Sequence, residues 1–551
     1  MNNKEIIVQA IIKFLIKHYK KIGIAVGLVI SYSMITRIIK SYFTTLFGSE
    51  NIPGDGTIAL IALSMMIGFP LIVAIIISNI RQTLNINPKG INGVKIKMND
   101  GSFGTANWLT DKEAKSILNI NTDKGVILGA KKNKIVTLPH DTFLNKNIAV
   151  VGASGSMKTR AFVKPNILQL ANEGKSMVIT DPKSEIYREM RTYLENKGYD
   201  VKVFNLVDMT RTNKWNPLAE IKNEIDAQVF TDVIINNTED STVKKDMFWE
   251  NGEKNLLKAL ALYITEKCEP TERNLAKLYS LIANRKVYEL DQLFSVLNNN
   301  SAAKMSYNIY SQSNDNIKSS IVLGLGTRLQ IFQNKEVRNL TSTSDIDLTK
   351  PAKSKCAYFC VTSDMNTTFD FLAGLFFSFL FIKIIEYADK TGQKCNPEVF
   401  FLLDEFSNIG QIPDFKKKIS TMRSRGVHSS MIFQNIAQLK NRYPHEAWQE
   451  ILGNCDTHLF LGCNDIITAQ YVSNLLGVST IETLNENKMP GMIYESTERL
   501  NYVSSKRNLM NPDELLRLPH EKAIILLRGQ KPYIVNKLDY TKLNLSKEIL
   551  L

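Results

Sequence analysis

Cysteine and histidine are both scarce, with six of each in 551 residues. The cysteines (Cys268, Cys356, Cys360, Cys395, Cys455, Cys463) form no CxxC pair, which argues against a disulfide framework and suits a reducing compartment. The histidines show no HExxH or comparable ligand spacing, so a zinc site is not expected. The sequence also lacks internal repeats and low-complexity segments. Acidic residues are in deficit: 54 Asp and Glu face 68 Lys and Arg, a formal charge of +14. That balance points to a polyanionic partner, either nucleic acid or an anionic membrane surface, and charge alone does not choose between them.

The length suits an anchor plus two or three folded units. Thr57 to Ile80 carries no charge and is long enough to cross a hydrocarbon core of about 30 Å. A shorter apolar run, Ile22 to Ile39, holds Arg37 near its end, where a long side chain can reach the interface. A signal peptide is the alternative for this first run, but a small-residue cleavage site is missing and a second span follows directly. Two transmembrane helices are therefore expected within residues 1–90. Lys13, Lys17, Lys20 and Lys21 precede the pair and Arg81, Lys89, Lys95 and Lys97 follow it, whereas Lys40, Glu50 and Asp55 lie between. Positive-inside logic places both ends, and the bulk of the chain, in the cytoplasm, making this a multi-pass protein of the cytoplasmic membrane.

From Gly101 to Asn147 the Gly-bounded runs read as short strands leading into NIAVVG. Near-continuous apolar runs then recur: SMVITD (Ser176 to Asp181), DVKVFNL (Asp200 to Leu206), CAYFCVT (Cys356 to Thr362), EVFFLLDE (Glu398 to Glu405), SSMIFQN (Ser429 to Asn435) and HLFLGC (His458 to Cys463). Separated by helical stretches, they predict an α/β fold whose parallel sheet is covered on both faces. Between about Ile221 and Gln330 helical spacing replaces them, with Leu256, Leu257, Leu260 and Ile264, then Leu275, Leu278 and Ile282. The expected organisation is an anchor (1–90), the first part of a nucleotide-binding domain (91–220), an all-α insertion (221–330) and the second part of that domain (331–551).

GASGSMKTR follows the strand NIAVV and precedes a helical stretch interrupted early by Pro165. Strand, glycine-containing loop, Lys-Thr and helix form a phosphate cradle, in which loop amides and the helix N-terminus meet the phosphates. Gly152, Ala153, Ser154, Gly155, Ser156, Met157, Lys158 and Thr159 are the expected nucleotide-holding set. Lys158 would reach the β and γ phosphates of ATP, and Thr159 would offer its hydroxyl to Mg²⁺. The pattern GxxxxGK[ST] asks for glycine where Met157 stands; Met157 can take helical angles there if its side chain turns from the phosphates. VFFLLDEF adds Asp404 and Glu405 at the C-terminal end of an apolar strand, where ligands sit in open α/β sheets. Asp404 suits Mg²⁺ through water, and Glu405 suits orienting and deprotonating the attacking water. Gln434 closes a further apolar strand and could touch that water, while Arg423 or Arg425 could reach a neighbouring subunit's nucleotide. A core amide or a surface salt bridge is the plain alternative for each.

Together with GTANWLT (Gly104 to Thr110), TDPKSE (Thr180 to Glu185), WNPL (Trp215 to Leu218), FWENGEKNLL (Phe248 to Leu257), LGLGTRL (Leu323 to Leu329), LLDEFSNIGQIPDF (Leu402 to Phe415), TMRSRG, FQNIAQL (Phe433 to Leu439) and LMNPDELLRLP (Leu509 to Pro519), these residues resemble the type IV secretion coupling proteins over nearly the whole chain. The resemblance implies a RecA-like P-loop core with an inserted all-α domain and a homo-hexameric ring around a channel. It implies ATP hydrolysis with Mg²⁺ coupled to moving relaxase-bound DNA, with relaxase, accessory proteins, secretion-channel components and the membrane as partners. By position it assigns nucleotide-site roles to Lys158, Thr159, Asp404, Glu405, Arg423 and Gln434. Some members carry a long acidic tail, whereas this sequence closes on YTKLNLSKEILL, so substrate recognition is expected from Asp226 to Gln312. The basic stretch DFKKKISTMRSRG would suit DNA phosphates or simply be a solvated loop. A duplex DNA translocase of the chromosome-segregation type, and a non-catalytic membrane receptor with a relic loop, are the competing readings.

Overall fold

The computed structural model describes residues 34–41, 44–45, 54–55, 57–58, 60–61, 64, 101–122, 124–238, 247–363, 367–392, 394–486 and 500–549. The chain divides into two units, residues 1–96 and residues 97–551. In the first, residues 34–41 are helical, and Ile39 and Ile58 bury against each other with Ile35 and Ile61 packed alongside. Lys40 pairs with Asp55. Most of the two apolar spans expected to cross a membrane lies outside the described residues.

In the second unit the strands are β1 (Asn119–Ile120), β2 (Val126–Lys131), β3 (Lys134–Leu138), β4 (Ile148–Val151), β5 (Ser176–Thr180), β6 (Asp200–Asn205), β7 (Cys356–Val361), β8 (Val399–Leu403), β9 (Val427–Phe433), β10 (Thr457–Phe460), β11 (Val478–Glu486), β12 (Leu500–Asn508), β13 (Lys522–Leu527) and β14 (Tyr533–Asn536). All but β11 and β12 join one sheet in the order β1-β3-β2-β14-β13-β10-β4-β9-β8-β5-β7-β6. From β10 to β6 every pairing is parallel. Every residue of β4, β5, β7, β8 and β9 is buried, which is why those segments read as unbroken apolar runs rather than alternating ones.

The short strands before β4 do not form a separate unit. They extend the parallel set through β13 and β14 in antiparallel register, so the sheet is mixed rather than purely parallel.

The chain leaves the sheet after β6 and returns at β7, and the described residues between are helical apart from their connections, the longest helix being Met247–Lys267. Trp215 of WNPL fixes the departure point: fully buried, it sets its ring edge against Phe204 at 5.7 Å and Phe376 at 5.3 Å. Two further motifs meet inside the helical segment. Glu253 of FWENGEKNLL accepts from Arg328 Nε of LGLGTRL at 2.6 Å, with both side chains 4% exposed. Gly324 leaves room for this pair, since a Cβ on it would stand 2.3 Å from Glu253 Oε1 and the carboxylate would have to shift.

Among the described residues one helix, Asp370–Thr391, is long and apolar enough to span a membrane, but it is buried in the fold. Its Phe381 stacks on Phe401 of β8 at 4.1 Å, so its apolar character is that of a core helix. All six cysteines are buried and free.

Candidate active site

The loop after β4 begins between two neighbouring strands. Gly152 N–H donates to Phe433 O at the end of β9 (3.1 Å) and Ala153 N–H to Gly462 O just beyond β10 (2.9 Å). The loop then turns into a helix that opens with a π-turn, Thr159–Val163, before the α-helix Lys164–Asn172. Pro165 explains the wide turn, because it has no N–H to donate and its ring would crowd the carbonyl four residues back. Buried Asn166 braces this turn, donating to Phe162 O at 2.8 Å while also exchanging hydrogen bonds with Ile127 of β2.

Met157 does not take helical angles. Its φ is +70°, in the left-handed region where a Cβ approaches the following carbonyl oxygen. The expectation of a right-handed conformation is overturned by the turn itself, since this position in the loop demands the backbone that glycine adopts freely.

Three strand ends bring the expected residues together. Thr159 Oγ1 donates to Asp404 Oδ2 at 2.8 Å. Lys158 Nζ lies 3.3 Å from Ala153 O, across the loop mouth, and 3.7 Å from Glu405 Oε1. Gln434 Nε2 donates to Glu405 at 3.0 and 3.1 Å from its two oxygens. Asp404 is almost fully buried; burial pushes its carboxyl up to about 6, with the Thr159 hydrogen bond opposing and the Glu405 charge adding to the rise. Glu405 follows in a left-handed conformation (φ 51°), which turns the chain out of β8.

Thr180 of TDPKSE was not expected at this centre. Its hydroxyl donates to the Asp404 backbone carbonyl at 2.6 Å, fixing the end of β8 from β5. The adjacent Asp181 accepts from Tyr187 N–H at 2.8 Å, and its carboxyl is raised by burial. The motif string was the available signal for both, but it carried no indication of which atoms they bind.

Arg423 stands apart. It lies in the short turn Arg423–Arg425 before β9, with Nη2 donating to Phe143 O at 2.7 Å, whereas Gln434 follows the other end of that strand. At about 3.3 Å per residue the strand separates them by roughly 20 Å, so Arg423 does not belong to its own chain's cluster. Much of the surrounding basic stretch already has partners: Lys416 pairs with Glu450 at 2.8 Å, Arg425 with Asp389 at 2.7 Å, and Lys418 donates to Pro413 O.

The model for the family described as type IV secretory system conjugative DNA transfer matches residues 97–549. The chain belongs to that family. Among curated members, Protein VirD4 of Rhizobium radiobacter is 24% identical over 400 residues, covering 71% of this chain and 56% of VirD4. Type IV secretion system-coupling protein VirD4 of Bartonella henselae is 21% identical over 515 residues, covering 86% of this chain and 77% of its own. This family member spans less than two thirds of the length of the first curated relatives it matches, 56% and 58%.

Among solved structures, the bacterial conjugative coupling protein TrwBdeltaN70 superposes with a TM-score of 0.62 at 16% identity, covering 82% of this chain and 96% of its own. TrwB in complex with ADP and Mg²⁺ gives a TM-score of 0.60 at 16% identity, with 81% and 96% covered. The conjugative DNA transfer family member thus shares the mixed α/β P-loop fold of TrwB.

Proposed function

We propose that this chain is a membrane-anchored P-loop ATPase that recruits relaxase-bound DNA and couples ATP hydrolysis to its delivery into a type IV secretion channel. The observation that carries this is the convergence of Lys158, Thr159, Asp404, Glu405 and Gln434 at the C-terminal ends of β4, β8 and β9. Family membership and the fold shared with TrwB support it.

The residues fit ATP and Mg²⁺. Thr159 and Asp404 present a hydroxyl and a carboxylate side by side, and the burial that raises the Asp404 carboxyl is relieved by an adjacent cation. A magnesium ion held there supplies charge neutralisation of the terminal phosphates during transfer. The amides from Gly152 to Thr159, with Ala153, Ser154, Gly155 and Ser156 between, cradle the phosphates, and Lys158 neutralises the terminal ones. Glu405 orients and deprotonates the attacking water, and Gln434 holds Glu405 in place while reading the terminal phosphate. Arg423, remote from its own chain's site, acts on the nucleotide of a neighbouring copy in a homo-hexamer.

In this reading residues 1–90 form a two-helix anchor in the cytoplasmic membrane, residues 91–220 and 331–551 form the RecA-like motor, and the helical insertion 221–330 receives relaxase and accessory proteins. The outward-facing Met34, Ile38 and Leu60 suit a lipid-exposed anchor. A membrane receptor without hydrolysis is the second reading, and the left-handed Met157 is what favours it.

DNA-stimulated ATP hydrolysis by the full chain separates the two. Hydrolysis that disappears in Lys158→Ala and Glu405→Gln establishes the motor. A full chain that binds relaxase and supports DNA transfer equally well as Lys158→Ala establishes the receptor. For Arg423, chains carrying Arg423→Ala mixed with chains carrying Lys158→Ala should recover part of the activity, because each supplies what the other lacks; no recovery removes the role across subunits.

A further inference from the structure

The antiparallel hairpin of β13 and β14 opens toward the phosphate loop. Its base is continuous with the loop's own strand: β13 pairs with β10, and β10 pairs with β4, Phe460 lying opposite Val151. At its open end Lys522 faces Asn536, and Lys537 N–H donates to Glu521 O at 2.8 Å. The residues that flank this closure, His520 before β13 and Asp539 after β14, each reach the nucleotide loop. His520 Nε2 is 3.1 Å from Gly155 O at the loop tip, where the imidazole N–H donates. Asp539 Oδ2 accepts from Arg160 Nε at 3.1 Å and Nη2 at 2.7 Å, just past the loop's Lys158 and Thr159.

We infer that the open end of this hairpin is a clasp on the phosphate loop, with His520 and Asp539 as positioning residues for nucleotide binding. The inference rests on the ATP-binding reading above. Asp539 is held ready on its own side: its other oxygen accepts from Thr541 N–H at 3.1 Å and Thr541 Oγ1 at 3.0 Å. Arg160 also lies over the Tyr540 ring, its guanidinium 5.9 Å from the centroid.

Converging loop amides bind phosphate well only if the loop does not have to reorganise first. Here Met157 sits in a strained left-handed conformation between the two gripped points. Fixing the carbonyl of Gly155 on one side and the side chain of Arg160 on the other restrains the five peptide units between, including that of Met157. The grip comes from one hairpin, so it holds the loop's tip and its helix end in one frame.

The test uses the full chain, with His520→Ala, Asp539→Ala, His520→Asn and Lys158→Ala, and two readouts: amide hydrogen exchange over residues 152–160 without nucleotide, and the Kd for mant-ATP with Mg²⁺. Each alanine variant should speed exchange and raise Kd by about five-fold, the size of one polar contact of about 1 kcal/mol. The double alanine variant should fall short of the product of the singles, because both act on one loop. His520→Asn, which keeps a donor, should restore most of both readouts. Exchange and Kd matching the parent, while Lys158→Ala loses mant-ATP, overturns the clasp and leaves the ATP reading standing. A parent chain that binds no mant-ATP overturns the ATP reading itself, and with it the clasp's role in binding.

Discussion

Gln434 donates its side-chain amide to the Glu405 carboxylate, 3.0 and 3.1 Å from the two oxygens. The residue that closes β9 thereby holds the carboxylate that leaves β8, and Lys158 stands 3.7 Å from the same carboxylate. Glu405→Gln should therefore keep nucleotide binding and lower turnover by about 10²–10⁴-fold, the usual contribution of a positioned base. Gln434→Ala frees Glu405 without removing it and should lower turnover by roughly ten-fold. Single-turnover hydrolysis measured beside equilibrium nucleotide binding distinguishes the two effects. Equal losses in binding and turnover would assign Glu405 to binding instead.

Asp404 makes stability depend on pH. Burial, first, and the Glu405 charge lift its carboxyl from 3.8 to about 6 in the fold, against the Thr159 hydrogen bond. A raised carboxyl means the folded chain holds a proton that the unfolded chain has released, so this group's contribution to stability is greatest below about 4 and is lost as pH rises through about 6. At neutral pH the loss amounts to about 3 kcal/mol. Unfolding midpoints of the nucleotide-free chain at pH 4.5 and 7.5 should show it. Asp404→Asn should flatten this part of the pH dependence, and Mg²⁺ should recover stability at pH 7.5 in the parent but not in the variant.

Met157 carries a side chain where the backbone is left-handed, φ +70°. Such a conformation disfavours a non-glycine residue by about 1–2 kcal/mol, while glycine gives back part of that gain through its freer unfolded chain. Met157→Gly should raise stability by about 0.5–1 kcal/mol and tighten nucleotide binding, whereas Met157→Ala should do neither. Thermal melts of the three chains decide it.

The placement of the candidate site's residues was legible because its parts are local. A loop after an apolar strand, Asp404 and Glu405 at the end of another and Gln434 at the end of a third can each be read from a few neighbouring residues. The parallel half of the sheet was legible for the same reason, since burial on both faces writes an unbroken apolar run. What was not legible depends on contacts between distant parts of the chain. Ala130 pairs with Asn536, and Lys131 Nζ donates to Ile534 O at 2.7 Å, so nothing near residue 130 announces that β2 extends the main sheet. His520 and Asp539 touch the phosphate loop from more than 350 positions away. The backbone of Met157 was misread because a methionine favours right-handed angles, and only the turn around it imposes the other hand.

Arg328 and Glu253 join two motifs of the helical segment, and their energetics differ from those of the surface pairs. Both side chains are 4% exposed and lie 2.6 Å apart. Arg328 Nη1 also donates to Ile235 O at 3.3 Å and Thr238 Oγ1 at 3.2 Å, tying three helices to one guanidinium. Removing one partner leaves a buried charge without its counterion, which destabilises by about 3–5 kcal/mol, whereas replacing both by apolar groups of similar volume is often nearly neutral. Arg328→Met should therefore weaken the helical segment strongly, and Glu253→Leu combined with Arg328→Met should recover most of the loss. Gly324→Ala should cost less than the single variant, because its Cβ displaces only the Glu253 carboxylate oxygen and leaves both charges in place. Limited proteolysis between residues 224 and 340, together with unfolding midpoints, reads all three. If the double variant is no better than Arg328→Met, the pair's role is packing rather than charge compensation.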